Sequence, residues 1–536
     1  MGSAAPEGPA RPTRLQTAIW CAIVGSFLLL SLRDYLSFQI GAYQDDASYV
    51  VLARSLVEAD RYGLINVPGE PDPARFPFGY PLLLSPLALL FPDLPDTLKS
   101  LSLFATVLNL GLIFWFWRTL TRIDSYWCGL AVCGLYGLSP LTVEYSRMVM
   151  SEAVFVSWCL LALILVERYR ADRSTPAWHL LTGIAMAFVV FTRTVGAVMV
   201  VVAVAYLPGT VGRIAWKDVS VMLILMLLVL GLIIALTPVD LDSLSPGEYA
   251  HQLRTPEAWG HGEEQSGLVS RMLGSFGDYA IRQLRQLVLS IGEKGRIASI
   301  FERLGVPYLL TLAGCATFAV VALGWLEWWR RAGLSAALLF AVAYSGVLLL
   351  WPWHAIRFLY PLQPQIYLGV FLGFQAVVLW ILSFRRGLRL RTLTSVALVT
   401  GFSVLATLSI LKSANIEDTR PHVGDLAART AWIRSYAEPE ATILSEYPQT
   451  DFLYSKRHTI AYPRTPTLDE LTRYLEANNV DLILVAPELR WQSEYKPVHS
   501  PRTELLRGQL ATLTAERRVE LVYESTDELI RVFRVQ

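Results

Sequence analysis

Residues 17–32 read TAIWCAIVGSFLLLSL, an uninterrupted apolar run that Arg14 precedes and Arg33 follows. A stretch of this length and composition predicts a membrane-spanning helix. It lacks a small-residue cleavage site and many similar runs come after it, so we interpret it as a retained helix rather than a signal peptide. Hydrophobic residues make up 54% of the 536-residue chain. The sequence therefore predicts a polytopic α-helical membrane protein.

The apolar runs predict about 11 transmembrane helices. Arginine and lysine clusters between them alternate so that one side of the membrane is consistently basic, and the positive-inside rule makes that side cytoplasmic. The amino terminus is then cytoplasmic, and the chain after Leu411 lies outside. The predicted spans lie near residues 15–35, 99–117, 125–141, 151–167, 177–192, 194–207, 219–236, 306–327, 333–350, 360–382 and 393–411.

Three segments are predicted outside the membrane: an outer loop at 36–98, a second at 237–305, and the tail at 412–536. The first outer loop contains the apolar stretch Phe78–Phe91, which carries two prolines and is too short to cross about 30 Å of hydrocarbon as a helix. We predict that it forms a re-entrant or juxtamembrane helix on the outer face.

The tail has the pattern of a small soluble α/β domain. Apolar runs predict strands, and Thr467 followed by Glu470 predicts a capped helix that ends near Asn478. We therefore divide the chain into a transmembrane catalytic domain, 1–411, and a C-terminal α/β domain, 412–536. The predicted strands lie at 441–444, 480–485, 519–523 and 529–535.

Two adjacent carboxylates, Asp45 and Asp46, follow the first predicted span on the outer side. Ionised carboxylates at a membrane boundary are costly unless they have a partner or a function. A membrane enzyme would place a general base or a metal ligand at this position. The alternative is a water-facing helix cap.

Four motifs occur in order on the predicted outer face. Asp45-Asp46-Ala47-Ser48-Tyr49 is similar to an Asp-Glu-x-x-Tyr motif, and Arg75-Phe76-Pro77-Phe78-Gly79-Tyr80 to Lys-Pro-Pro-Leu-Gly-Tyr. The run from Ser146 to Glu152 resembles a second outer loop, and the run from Arg357 to Pro364 an Arg-Tyr-x-x-Pro-x-x-Pro element. In this order they resemble the GT-C superfamily of membrane glycosyltransferases, in the branch of the protein O-mannosyltransferases and lipid A aminoarabinose transferases.

The resemblance implies an inverting glycosyltransferase that uses a polyprenyl-phosphate sugar as donor. It implies that Asp45 and Asp46 are the catalytic residues, of which Asp45 activates the acceptor hydroxyl and Asp46 stands at the family's Glu position. Arg75 falls on a phosphate-contacting lysine, and a guanidinium can bind phosphate oxygens in a bidentate manner. Tyr80, from the same motif, is assigned to substrate binding.

Further candidates for substrate binding are Arg147, Arg193 and Arg357, which lie at outer ends of spans where the positive-inside rule disfavours them. An anionic ligand would explain their presence, and structural ion pairs are the alternative. Glu152 could contact metal or acceptor, or stabilise a helix amino terminus. His354 could hydrogen-bond the donor phosphate, or be an ordinary interfacial histidine.

A divalent cation bound by Asp45 and Asp46 is left open. The expected partners are membrane lipids, the donor, and a glycan, lipid or protein acceptor; the net charge of +1 gives no basis for nucleic-acid binding. The expected location is a bacterial inner membrane, with the site and tail extracytoplasmic. The alternatives are a flippase or transporter for lipid-linked sugars, which would require charged or broken helices at mid-membrane, and a membrane sensor.

Overall fold

The computed structural model describes most of the chain. The residues described are 12–33, 35–36, 38–59, 61–71, 76–92, 95–171, 176–211, 215–236, 268–291, 296–351, 354–383, 390–414, 422–423, 426–463, 466–491 and 499–536. The first 411 residues are helical wherever regular structure is described, and a small sheet occurs only after them. This order of elements agrees with the predicted fold class.

The helices of the first half follow the apolar runs. They are α1 (Arg14–Arg33), α2 (Asp45–Glu58), α3 (Gly79–Leu90), α4 (Ser100–Trp115), α5 (Trp117–Thr121), α6 (Tyr126–Gly137), α7 (Pro140–Tyr145), α8 (Glu152–Ala171), α9 (Pro176–Thr192), α10 (Ala197–Val211) and α11 (Ala215–Leu236). Short 3₁₀ turns at Pro95–Lys99 and Thr194–Gly196 precede α4 and α10.

The second half continues with helices that include one π-helical segment, Gly277–Gln283, and one 3₁₀ segment, Ile356–Leu362. The helices are α12 (Leu268–Phe276), α13 (Leu284–Leu289), α14 (Arg296–Arg303), α15 (Tyr308–Ala332), α16 (Ala336–Leu350), α17 (Gln363–Ser383) and α18 (Leu390–Ala414). Much of the predicted outer loop 237–305 lies outside the described residues.

Four helical stretches among the described residues are long and apolar enough to cross a membrane: Arg14–Arg33, Pro95–Trp115, Tyr308–Ala332 and Ile356–Leu382. Several shorter apolar helices accompany them, such as Ala336–Leu350. These helices indicate a membrane protein, while the predicted number of about 11 spans stays a prediction. Many large apolar side chains on them are exposed, as expected of lipid-facing surfaces, because lipid is as apolar as the side chains themselves.

The segment Phe78–Phe91 forms a helix, α3, of 12 residues with Pro86 inside it. At 1.5 Å per residue it is about 18 Å long, well short of a hydrocarbon core of about 30 Å. That it lies at the outer face without crossing stays a prediction.

Glu167, near the carboxyl end of α8, forms polar contacts with three other segments of the helical part. Its Oε2 pairs with Arg122 Nη2 at 2.8 Å. Its Oε1 accepts hydrogen bonds from the Tyr206 hydroxyl and from the backbone N–H of Ala336, each at 2.8 Å. The buried carboxylate thus has partners on every side, which a charge inside an apolar bundle requires.

The tail contains a mixed five-stranded sheet in the order β3-β2-β4-β7-β6. The strands are β1 (His422–Val423), β2 (Thr442–Ser445), β3 (His458–Ala461), β4 (Leu482–Val485), β5 (Arg490–Trp491), β6 (Val519–Glu524) and β7 (Arg531–Val535). Strands β2, β3 and β4 are parallel, β7 is antiparallel to β4 and β6, and β1 pairs with β5 separately. All residues of β2 and β4 are buried, as expected for central strands covered on both faces.

Local sequence explains the helices of the tail. Thr467 and Glu470 form the predicted capping box at the start of one helix, and Asn478 ends it. Ser500 caps the last helix by accepting from Thr503 N at 3.1 Å. The helices are α19 (Leu426–Tyr436), α20 (Pro448–Ser455), α21 (Leu468–Ala477) and α22 (Pro501–Ala515).

Candidate active site

Asp45 is the first residue of α2, and its carboxylate pairs with Arg357. Asp45 Oδ2 lies 2.7 Å from Arg357 Nη1, although 312 residues separate the two in sequence. Both side chains keep between a quarter and a third of their surface exposed (28% and 29%). The pair is therefore accessible to a ligand. Asp45 stands at the amino terminus of α2, whose unpaired N–H groups carry partial positive charge.

A second, more deeply buried pair lies beside the first. Arg193 occupies the break between α9 and the following 3₁₀ turn, and its Nη1 lies 2.7 Å from Glu152 Oε1. Glu152 begins α8 and is only 2% exposed, whereas Arg193 is 18% exposed. Here too a carboxylate stands at a helix amino terminus, and an arginine from another segment balances its charge.

Ser151 and Tyr49 join the second pair to α2. Arg193 Nη1 donates to Ser151 Oγ at 3.2 Å, and the hydroxyl groups of Ser151 and Tyr49 lie 3.1 Å apart. Tyr49 is four residues after Asp45, so both lie on the same face of α2. The helix therefore presents its first carboxylate and this phenol to the same region.

Tyr80 packs against the ring of Tyr49. It is fully buried, its ring packs edge-to-face on Tyr49 with centroids 4.7 Å apart, and its hydroxyl lies 3.3 Å from Ser102 Oγ. A Cβ added to the preceding Gly79 would come within 2.8 Å of the backbone of Phe191 in the last turn of α9. Glycine is needed here because α3 meets α9 closely just before Arg193. Tyr80 thus has a packing position in the structure, and its assignment to substrate binding stays a prediction.

The two ion pairs form one charged cluster. Arg357 is attracted by Glu152 as well as by Asp45, and it is repelled by Arg193. Tyr145 also lies within the field of both Glu152 and Arg357. Two guanidinium groups thus lie near each other, each paired with a carboxylate that balances its charge. An anion that approached the cluster would meet both arginines.

Asp46 has a different environment from its neighbour. It is 1% exposed, and its oxygens accept the backbone N–H groups of Gly41 (2.8 Å), Tyr43 (3.2 Å) and Ala47 (2.9 Å). Burial raises the pKa of Asp46 to about 6. The three N–H donors lower this pKa, but their effect is smaller than that of burial. The structure places this carboxylate inside the turn that precedes α2.

The structure gives the other predicted residues that it describes contacts of their own. Arg147 is buried, and its guanidinium donates to the Leu30 carbonyl in α1. His354 is exposed, lies 2.8 Å from Ser275 Oγ through Nε2, and contacts the Tyr279 ring edge-on. Arg75 lies outside the described residues. The roles of all three remain predictions.

Sequence reasoning missed Ser151, Tyr49 and Tyr145 as members of the site. Tyr49 closes the Asp45-Asp46-x-x-Tyr motif, and Ser151 directly precedes Glu152, so the motifs contained a signal for both. Nothing in the local pattern marks Tyr145, because its nearness to Arg357 depends on how α7 packs.

A divalent cation would require donors that converge. Asp45 and Asp46, whose sharing of such an ion the sequence left open, direct their carboxylates to different partners, one to Arg357 and the other to backbone N–H groups. Within the described part of the chain, no group of three or more His, Cys, Asp or Glu side chains is arranged to hold a metal ion.

Comparison with known proteins identifies the fold. No family model matches the sequence, and no curated protein matches it. Among solved structures, AglB oligosaccharyltransferase from Archaeoglobus fulgidus, with an inhibitory peptide and dolichol-phosphate, aligns at a TM-score of 0.55 and 14% identity, over 88% of this chain and 69% of its own. ArnT from Cupriavidus metallidurans, bound to undecaprenyl phosphate, aligns at 0.52 and 14% identity, over 97% and 98%.

The chain has the GT-C fold. The ArnT alignment spans both chains almost completely, so the shared architecture includes the tail as well as the helical part. The predicted resemblance to GT-C glycosyltransferases is confirmed at the level of fold. One AglB structure holds zinc and sulfate. The charged cluster at Asp45, Arg357, Glu152 and Arg193 is the candidate active site within this fold.

Proposed function

We propose that this GT-C chain is an inverting glycosyltransferase that transfers a sugar from a polyprenyl-phosphate donor to an acceptor hydroxyl. The observation that carries the proposal is the cluster of two carboxylate–arginine pairs, in which a partly exposed Asp45 faces Arg357 at 2.7 Å. It contains the two kinds of group that this reaction needs, a proton acceptor and cations for a leaving phosphate.

Asp45 is the proposed general base. It stands at the amino terminus of α2 within 2.7 Å of Arg357, and a carboxylate is a group that can accept the proton of an acceptor hydroxyl. Its 28% exposure leaves room for an acceptor hydroxyl. Glu152 is less suited to this role, because it is almost fully buried and its charge balances Arg193.

Arg357 and Arg193 are the proposed ligands of the donor phosphate, with Arg75 as a further candidate. A phosphate that binds Arg357 replaces Asp45 as the partner of that guanidinium, and Asp45 is then free to meet the acceptor. Binding of donor and availability of the base are thereby linked. Phosphate suits this exchange because arginine binds its oxygens at least as well as those of a carboxylate.

The proposed reaction is a single displacement. The acceptor oxygen forms a bond to the anomeric carbon while its proton passes to Asp45. The bond between the anomeric carbon and the phosphate oxygen breaks, and polyprenyl phosphate leaves with that electron pair, stabilised by the arginines. Attack opposite to the leaving group inverts the anomeric configuration.

The donor lipid explains why such a site lies at the end of membrane helices. AglB and ArnT were solved with dolichol-phosphate and undecaprenyl phosphate, respectively. By analogy, the donor tail lies along the apolar helices and its phosphate reaches the cluster. We place the site and the C-terminal domain on the extracytoplasmic side of a bacterial inner membrane, with a glycan, lipid or protein as acceptor.

The test is incubation of the purified full chain with a panel of polyprenyl-phosphate sugars, followed by mass spectrometry for donor hydrolysis or transfer. Arg357→Ala should weaken donor affinity roughly ten- to a hundredfold, because a charge-assisted hydrogen bond contributes about 1.5–3 kcal/mol. Arg118→Ala serves as the matched control, because Arg118 also forms an ion pair with a carboxylate, that of Asp124, at 3.0 Å. Arg118 follows the carboxyl end of α4, whereas Tyr80, which packs on Tyr49, contacts Ser102 near the amino end of α4.

Absence of turnover of every donor by the wild-type protein, or equal donor affinity in the two variants, would contradict the proposal. Movement of a lipid-linked sugar across a reconstituted bilayer without hydrolysis or transfer would favour the alternative of a flippase.

A further inference from the structure

The chain segment that leads to Asp45 is attached to the C-terminal domain, residues 412–536. The Gln39 side chain accepts the N–H of Leu426 at 3.0 Å, and the Ile40 carbonyl accepts the Tyr454 hydroxyl at 2.8 Å. The Gly41 carbonyl accepts the Thr450 hydroxyl at 3.0 Å. Three consecutive residues before the acidic pair thus bond to helices α19 and α20 of that domain.

Gly41 connects the domain to Asp46 through one residue. Its carbonyl is bound by Thr450, and its own N–H donates to Asp46 Oδ2 at 2.8 Å. Its φ of +103° lies in the region that favours glycine, and an added Cβ would come within 2.7 Å of Thr450 Cγ2. A side chain at this position would therefore oppose both the turn and the contact with the domain.

A second attachment lies beyond the end of α2. The N–H of Thr459 in β3 donates to the Asn66 carbonyl at 2.6 Å, and Asn66 Nδ2 donates to the Thr459 carbonyl at 3.0 Å. Asn66 is fully buried, and the neighbouring Val67 packs against the apolar core of the domain. Helix α2 is thus held by the same domain on both of its flanks.

These contacts connect the C-terminal domain to the residues on both sides of α2, the helix that begins with Asp45. We propose that the domain positions the acidic pair, and that Thr450 is a positioning residue that acts through Gly41 and Asp46 on Asp45. This inference rests on the proposed function for its kinetic consequence. The attachment itself can be measured without turnover.

The decisive variant is Thr450→Val, which replaces the hydroxyl with a methyl group of similar size. Loss of one buried hydrogen bond should speed hydrogen exchange in the segment 38–47 about fivefold. With a donor that the panel shows to be turned over, kcat should fall about fivefold while KM for the donor is unchanged. Thr450→Ser keeps the hydroxyl and should restore both values.

Thr430→Val is the matched control. Thr430 is equally buried in the same domain, and its hydroxyl has no hydrogen-bond partner within the described parts of the chain. The control should exchange and turn over like the wild type. Unchanged exchange in Thr450→Val would overturn the attachment. Faster exchange with unchanged kcat would overturn the positioning role, and a wild type that turns over no donor would refute the proposed function while the exchange result still stands.

Discussion

Asp45 and Asp46 are adjacent in sequence, yet at the scale of single residues they do different things. One carboxylate is partly exposed and faces a guanidinium, while the other is enclosed by backbone N–H groups. A pattern of two acids cannot show this difference, because it depends on which side of the α2 amino terminus each carboxylate occupies.

The first prediction concerns the turnover of variants in which either Asp45 or Asp46 is replaced by Asn. Asp45→Asn keeps the shape and removes the base, so the rate of transfer should fall about a hundredfold or more while donor is still bound. Asp46→Asn should have the smaller effect on rate, because it disturbs the turn rather than the reacting group. Single-turnover kinetics with a saturating donor measure both. Near-normal transfer by Asp45→Asn would move the base to another residue.

The second prediction concerns the pH dependence that Asp46 gives to stability. Its pKa in the folded protein, about 6, exceeds its ordinary value of 3.8. Between these values the folded state holds a proton that the unfolded state has released. The contribution of Asp46 to the free energy of unfolding therefore falls as pH rises from about 4 to about 6, by roughly 2–3 kcal/mol.

Asp46→Asn lacks this titration, so it should lose less thermal stability than the wild type as pH rises from 4 to 7. Thermal unfolding midpoints of both proteins in detergent at these two pH values make the comparison. Parallel pH dependence in the two would contradict the assignment.

At the scale of elements, the features that depend on nearby residues were predictable from the sequence, whereas the contacts that depend on long-range packing were not. The capping box at Thr467 and Glu470, the end at Asn478 and the buried strand at 482–485 were predictable because caps and strand patterns depend on residues a few positions apart. The contact of Arg193 with Glu152 depends on how α8 and α9 pack, and no spacing in the sequence encodes it.

The third prediction concerns the capping box. Thr467→Ala removes the side-chain acceptor for Glu470 N at the start of α21, and should lower the stability of the domain by about 1 kcal/mol. Urea or thermal unfolding followed by circular dichroism measures this change. Thr467→Ser keeps the acceptor and should behave nearly like the wild type; a loss as large as that of Ala would argue against capping.

At the scale of the whole molecule, the acidic loop and the C-terminal domain must lie on the same side of the membrane, since they bond to each other. The alternation of arginine clusters predicts that this side is the outer one. The sequence alone could place both segments outside, but could not show that they touch.

The fourth prediction tests this topology. Asp124 and Glu440 are exposed residues on opposite predicted sides. Single cysteines placed at 124 and 440, in a chain whose exposed Cys21 and Cys315 are replaced by Ala, should react with a membrane-impermeant maleimide from the cytoplasmic and outer sides, respectively. Labelling of both from one side would refute the predicted arrangement.

Helix α8 carries a buried carboxylate near each end, Glu152 in the charged cluster and Glu167 in the contact with Arg122 and Tyr206. Fifteen residues, about 22 Å of helix, separate them. Glu167→Gln breaks a buried ion pair and should lower the free energy of unfolding by up to about 3–5 kcal/mol. It should leave kcat within about twofold of the wild-type value. Glu152→Gln should lower kcat itself. One helix therefore governs both the amount of folded protein and the rate per molecule, at opposite ends, and expression level and specific activity would report on them separately.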